Sequence, residues 1–200
     1  TPEPAKLRGL LREREVFPMK KICTISFSGR PGGNCGSIAG EIQKYWQGRG
    51  AVKTFDFSAL EITPCGRCEY ECFGGQKGCP HFSDPEFAIC EAITDSDITY
   101  FVVPNYCDYP PANFFIFNER GQCYFQRHHE LLEKYLAVRK KFIVVSNTGR
   151  ENFTAAFRYH VPEGTEPEAL FLAARKFGRV SIKGDLMASP EARETLRRFL

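Results

Sequence analysis

An α/β fold built on a five-stranded parallel sheet is what this sequence predicts, and three observations predict it. From residue 20 onward, short apolar and β-branched runs alternate with stretches of helical periodicity. Two of the runs, 98–103 and 142–145, are almost continuously apolar, as strands covered on both faces are. The segments that follow the strands are rich in glycine, proline and short polar residues, and it is there that a parallel sheet holds its ligands.

Each element follows from local pattern. Residues 1–18 read as an N-terminal extension: Leu7, Leu10 and Leu11 have helical spacing, but Gly9 interrupts and no apolar face develops. Residues 19–200 read as one domain, and 200 residues with 42% hydrophobic content suffice for a single core. The first strand is 22–27, and it runs into a Gly-rich loop, 28–37. Ile38, Ala39, Ile42, Tyr45 and Trp46 mark one helix face, which Gly48 and Gly50 end. A second strand, 51–57, precedes a Cys-rich insertion at 63–82. Ser83-Asp84-Pro85-Glu86 has the form of a capping box, opening a helix to about Thr94. After the third strand, 98–103, Pro110-Pro111 opens a helix that Gly121 ends, and 129–137 is a further helical piece. The fourth strand is 142–145. Thr165-Glu166-Pro167-Glu168 reads as a second capping box, with a helix to Gly178 that carries Arg175 and Lys176 in its last turn. Residues 180–182 supply the fifth strand, and Ser189-Pro190 starts the last helix.

Composition excludes several classes of function. Lys+Arg 27 against Asp+Glu 24 leaves a net charge of +3 with no basic block, so no nucleic-acid or membrane-surface footprint is expected. No apolar run approaches the ~20 residues of a membrane span. The sequence opens without a signal-peptide pattern, so a cytoplasmic protein is expected. In that compartment nine cysteines, an odd number, read as thiols or metal ligands rather than disulfides.

Three loops after strands converge on one sheet edge. In the 28–37 loop, glycines including Gly33 and Gly36 let backbone N–H groups approach a phosphate, and the following helix adds its dipole. Ser28, Asn34 and Ser37 add short donors there, Arg30 adds charge, and Cys35 sits at the helix N-terminus, where a thiol pKa falls. The loop is neither Walker A nor G-x-G-x-x-G, which leaves a monophosphate. In the second loop, Pro104, Asn105, Tyr106, Cys107, Asp108 and Tyr109, the tyrosines suit a planar ring. The third, 146–150, adds Thr148 and Gly149. A flat cofactor with one phosphate tail, FMN, fits all three.

These residues resemble the flavodoxin-like NAD(P)H-dependent FMN reductases, and especially their iron–sulfur flavoprotein relatives. The family's first loop, Gly-Ser-Pro-Arg, two variable residues, then Gly-Asn-Thr/Ser, is matched by Ser28, Arg30, Gly33 and Asn34, with Phe27, Gly29 and Cys35 as departures. Its Pro-x-Tyr is matched by Pro104-Asn105-Tyr106, and its downstream Phe-x-Asp-Arg by Phe117-Asn118-Glu119-Arg120. The resemblance spans residues 20–185. It implies a flavodoxin-like three-layer sandwich, FMN with its phosphate on 28–37 and its ring against 104–109, and NAD(P)H or a protein as electron donor.

Cys65-x2-Cys68-x3-Cys72-x6-Cys79 places four thiols on a glycine-containing loop. A [4Fe–4S] cluster and a structural zinc both need four such ligands, and a metal-free loop is the third alternative. The resembling iron–sulfur flavoproteins carry a compact four-cysteine motif at this point, with x2 where this chain has x3. Cys23 and Cys90 read as core, Cys123 carries no signal, and His81 is a bystander. The aromatic stretch Phe114, Phe115, Phe117, Tyr124 and Phe125 reads either as core or as the interface of a homodimer or larger homo-oligomer. The function expected is an FMN-dependent oxidoreductase, relaying electrons through a cluster if one is held. The alternatives are a non-enzymatic flavodoxin-type electron carrier and a zinc-stabilised binding module.

Overall fold

The computed structural model describes residues 19–74, 78–126, 129–146 and 150–200. In chain order these form β1 (Lys20–Ser26), α1 (Asn34–Trp46), β2 (Gly50–Asp56), α2 (Pro85–Thr94), β3 (Ile98–Pro104) and α3 (Ala112–Phe125). There follow α4 (His129–Ala137), β4 (Arg139–Val145), α5 (Arg150–Phe157), β5 (Glu168–Phe171) and α6 (Pro190–Phe199). The sheet order is β2-β1-β3-β4-β5, with every neighbouring pair parallel. This is the flavodoxin-like doubly wound order, and it reverses between β1 and β3.

Strand alternation divides the core into two layers. Cys23, Ile25 and Phe27 of the first strand region, Phe101 and Val103 of β3, and Phe142 and Val144 of β4 face α2, α3, α4 and α5. Ile22, Tyr100, Val102, Ile143 and Val145 face the opposite way, onto α1 and α6. Helices on both faces make the three-layer sandwich. Of the aromatic stretch, Phe114, Phe117 and Tyr124 are buried in the first layer, while Phe115 is exposed.

The sequence expectations need five corrections. The fifth strand is not 180–182, which is a 3-10 turn (Ser181–Lys183), but Glu168–Phe171. The helix expected from Thr165 to Gly178 is absent; that stretch holds β5 and a 3-10 turn at Ala174–Phe177. β5 is fixed by pairing with β4 from Lys141↔Glu168 to Val144↔Phe171, reinforced by a bidentate Arg139–Glu168 ion pair. Helix α2 is capped by Asp84, whose side chain accepts from the Glu86 N–H, and not by Ser83. Gly121 lies inside α3 rather than at its end, and α5 was not anticipated. The predicted extension, 1–18, lies outside the described residues. Among the described residues no helix is long and apolar enough to cross a membrane.

Candidate cofactor site and cysteine cluster

The turn of the chain from β1 into α1 lies where the strand order reverses. Gly33 is the N-cap of α1, no side chain caps it, and the first turn carries no acidic residue. Helix geometry leaves the opening N–H groups of α1 without carbonyl partners inside the helix, and the dipole adds partial positive charge there. They open toward a cavity of about 250 Å³ whose lining includes Ser28, Arg30, Gly33, Asn34, Cys35, Pro104, Asn105 and Tyr106. Eight of the predicted site residues thus meet in one place. Val145, Ser181 and Ile182 complete the lining.

Side-chain roles differ from those expected. The Asn34 amide donates to the Ser181 carbonyl at 2.9 Å and accepts from the Leu186 N–H at 3.0 Å. The Ser37 hydroxyl donates to the Gly33 carbonyl at 3.2 Å. Both side chains are therefore engaged within the protein and shape the loop. The Ser28 hydroxyl accepts from the Arg30 N–H at 3.2 Å, which bends the loop. Cys35 is buried, and burial, helped by the Asp56 charge, pushes its thiol up to about 12. Burial thus opposes the lowering that a helix N-terminus favours. Gly36 faces away, toward the Asp56 carboxylate.

The second loop is a tight turn. Cys107 and Asp108 have φ of 53° and 65°, and Tyr106 and Tyr109 exchange backbone hydrogen bonds of 3.0 and 3.1 Å across them. Two consecutive left-handed residues give a type I′ geometry. It is braced by the Asp108 N–H donating to Asn105 Oδ1 at 2.8 Å, and by Asn152 donating to the Asp108 carbonyl at 3.0 Å. Asn105 Nδ2 donates to the Ser146 hydroxyl, tying this loop to the end of β4. Tyr106 and Tyr109 are both about half exposed, at 51% and 52%. Cys107 is exposed but does not line the cavity. Thr148 and Gly149 lie outside the described residues.

Sequence reasoning missed Ser181 and Ile182. The segment that carries them passes so close to the loop that a Cβ on Gly184 would stand 2.9 Å from the Gly32 carbonyl oxygen, and Gly184 has φ of +73°. Gly184, the one residue type suited to both conditions, was the available signal. A larger cavity of about 450 Å³, lined in part by Phe117, Gln122, Phe125 and Tyr135, lies against α3 and α4, away from the strand ends.

The cysteine insertion packs against α3. Arg120, only 1% exposed, donates to the Asp84 carboxylate at 2.7 and 3.3 Å and to the Thr63 and His81 carbonyls at 2.6 and 3.3 Å. This residue, matched above to the family's downstream arginine, anchors the insertion and is not at the cavity. It also donates to Cys79 Sγ at 3.6 Å. Gln122 donates to Cys65 Sγ at 3.3 Å, and Cys72 Sγ lies 3.7 Å from Cys123 Sγ. All nine cysteines are free thiols. Among the described residues no group of three or more His, Cys, Asp or Glu already stands in metal-holding geometry.

No protein-family model matches the sequence, and no curated protein matches it. Solved structures do match. The chain is similar to the Trp repressor binding protein from Bacillus subtilis, with a TM-score of 0.56 at 16% identity over 90% of this chain and 97% of that one. It is similar to FerB, a flavoenzyme NAD(P)H:(acceptor) oxidoreductase from Paracoccus denitrificans, with 0.55 at 13% over 90% and 95%. An azoreductase from Bacillus anthracis gives 0.52 at 11% over 90% and 100%. At these identities the likeness shows the fold: the chain has the flavodoxin-like architecture along nine-tenths of its length.

Proposed function

We propose that this protein is an FMN-dependent oxidoreductase that takes its electrons from NAD(P)H or a protein donor. The observation that carries the reading is the uncapped N-terminus of α1, opening onto a cavity beside the Tyr106–Tyr109 turn where the strand order reverses. The opening N–H groups of α1, Arg30 and Ser28 would hold the phosphate. Tyr106 and Tyr109 would wall the ring, with Thr148 and Gly149 on the loop after β4. Asn34 and Ser37 hold the cradle in shape. Bound FMN supplies the hydride and single-electron chemistry, so no side chain need act as acid or base. The likeness to FerB, a flavoenzyme oxidoreductase, and to an azoreductase supports the same class. Nine unpaired thiols support a reducing compartment such as the cytoplasm.

Mass spectrometry of cofactor released from the purified protein, or bound after addition, tests the flavin: FMN is expected, and FAD as the dominant species overturns the reading. Anaerobic stopped-flow reduction by NADH and NADPH tests the enzyme. Reduction faster than that of free FMN is expected, and reduction no faster selects the electron-carrier alternative.

A further inference from the structure

The larger cavity, about 450 Å³, shares no lining residue with the one at the strand ends. That volume falls within the ~300–1,000 Å³ of ordinary small-molecule sites. Its wall is mostly ring and hydrocarbon, from Phe115, Phe117 and Phe125 of α3 to Tyr135 of α4 and Tyr159 beyond α5. Exposure falls steeply across it. Phe115 and Tyr159 are 42% and 80% exposed and mark the mouth, whereas Tyr135 and His160, each 3% exposed, mark the deep end. A planar ring finds edge and face partners along such a wall.

Charge narrows the ligand. Among the described residues no Lys or Arg lines the cavity, and Glu119, its one acid, accepts the Cys65 N–H at 2.8 Å. Burial holds His160 neutral, its pKa pushed down to about 3, and keeps the Tyr135 hydroxyl protonated. An anion would find no counter-charge here, and the one carboxylate is engaged by the insertion. The lining therefore suits an uncharged molecule.

The Tyr135–His160 pair sets the polarity of the hydrogen bond on offer. Tyr135 Oη and His160 Nδ1 lie 2.7 Å apart, and His160 Nε2 is buried without a partner among the described residues. Were the imidazole proton on Nδ1 and donated to Tyr135, the tyrosine's own proton would have no acceptor. The hydroxyl therefore donates to Nδ1, which puts the imidazole proton on Nε2 as an unmet N–H. Orphaned buried donors are rare because leaving one unmet is costly. Among the residues that line this cavity, His160 alone carries such an atom.

We propose that this cavity is a second binding site, for an uncharged aromatic molecule of one or two rings with one hydrogen-bond acceptor, of the aryl ketone class. The rings lie among Phe117, Phe125 and Tyr135, and the carbonyl oxygen accepts from the His160 Nε2–H. Because the two cavities have separate linings, this site stands whether or not FMN binds at the other.

The test uses the full chain, with acetylnaphthalene as probe and ethylnaphthalene, which has the same rings and no acceptor, as control. Isothermal titration should show one ketone per chain, bound about tenfold more tightly than the hydrocarbon. In NMR of histidine-labelled protein the ketone should move the His160 Nε2–H proton downfield, as a new hydrogen bond does, and the hydrocarbon should not. Gly121 lines the cavity within α3, and a Cβ there would meet only the Phe125 ring, at 3.7 Å. Gly121→Leu therefore fills the cavity without backbone conflict and with better helix propensity. It should lose ~10-fold or more in affinity for both probes while folding at least as stably as wild type. His160→Phe, which keeps a ring and removes the N–H, should bind the two probes equally. The proposal is overturned if neither probe binds, if the ketone has no advantage over the hydrocarbon, or if the Nε2–H proton does not move. It is equally overturned if Gly121→Leu binds as wild type does, which would put the probe elsewhere, the strand-end cavity included.

Discussion

Asn34, the first residue of α1, accepts a hydrogen bond from the Leu186 backbone N–H across 152 residues of chain. The same amide donates to the Ser181 carbonyl, so one side chain, 7% exposed, clamps the 181–186 segment over the 28–37 loop. The floor of the cavity and its rim are thereby a single unit.

Asn34→Ala strands a buried N–H and removes a donor, and should cost about 2 kcal/mol. Gly184→Ala adds strain at positive φ to a close approach to Gly32, and should cost about 1–2 kcal/mol from the backbone alone. Urea unfolding with unchanged slope checks both. A loss below 0.5 kcal/mol in each would mean the clamp is not formed.

Arg30 is exposed at the cavity edge, so its removal should leave stability within about 0.5 kcal/mol of wild type. Losing a charge-assisted contact to phosphate should weaken FMN binding ~10–100-fold. Fluorescence titration of FMN measures this, and unchanged affinity in Arg30→Ala would place the phosphate elsewhere. Riboflavin, which lacks the phosphate, should bind both forms equally weakly.

His160 is buried, and its Nδ1 meets the Tyr135 hydroxyl at 2.7 Å. Burial, with the nearby Lys140 charge, pushes its pKa down to about 3 from 6.5. Between those values the unfolded chain binds the proton and the folded chain does not, so stability rises with pH through the window and is lost as pH falls below 6.5. The slope approaches about 1.4 kcal/mol per pH unit. Denaturation midpoints from pH 4.5 to 7.5, compared with His160→Gln, should show this component vanish in the variant. Parallel curves would refute it.

Arg120 and Asp84 form a nearly buried pair that also ties down two carbonyls. Removing one partner leaves the other charge uncompensated, so Arg120→Ala should cost about 3–5 kcal/mol. Arg120→Lys should recover little, since a point charge cannot reproduce the fork. Thermal unfolding of the two variants checks the order. Full recovery by lysine would show that charge alone mattered.

How much of this was legible in the sequence follows from how local each signal is. β1, β3 and β4 were readable because burial on both faces demands apolar runs, although Lys140 and Lys141 concealed the start of β4 by burying their stems in it; β2, a half-exposed edge strand, was a weaker signal. β5 was not readable. It is four residues at a sheet edge, rich in Ala and Leu, and preceded by a local imitation of a capping box; its strand state is imposed by β4 and the Arg139–Glu168 pair. The 28–37 turn was readable from its glycines, but the work of Asn34 was not, because its partners, Ser181 and Leu186, lie far away in sequence. Cys123 was silent for the same reason: spacing rules see neighbours in sequence, and its neighbour is Cys72, 51 residues away.

The clamp from Asn34 to the 181–186 segment also sets an order of events during synthesis. A ribosome that has released β1 through β5 has made the whole sheet, but the wall contributed by Ser181 and Ile182 is still unmade. Contacts of such long sequence separation form late. The nascent protein therefore acquires its sheet before the wall of the 28–37 cavity, so any small molecule that loads there does so after the sheet is made.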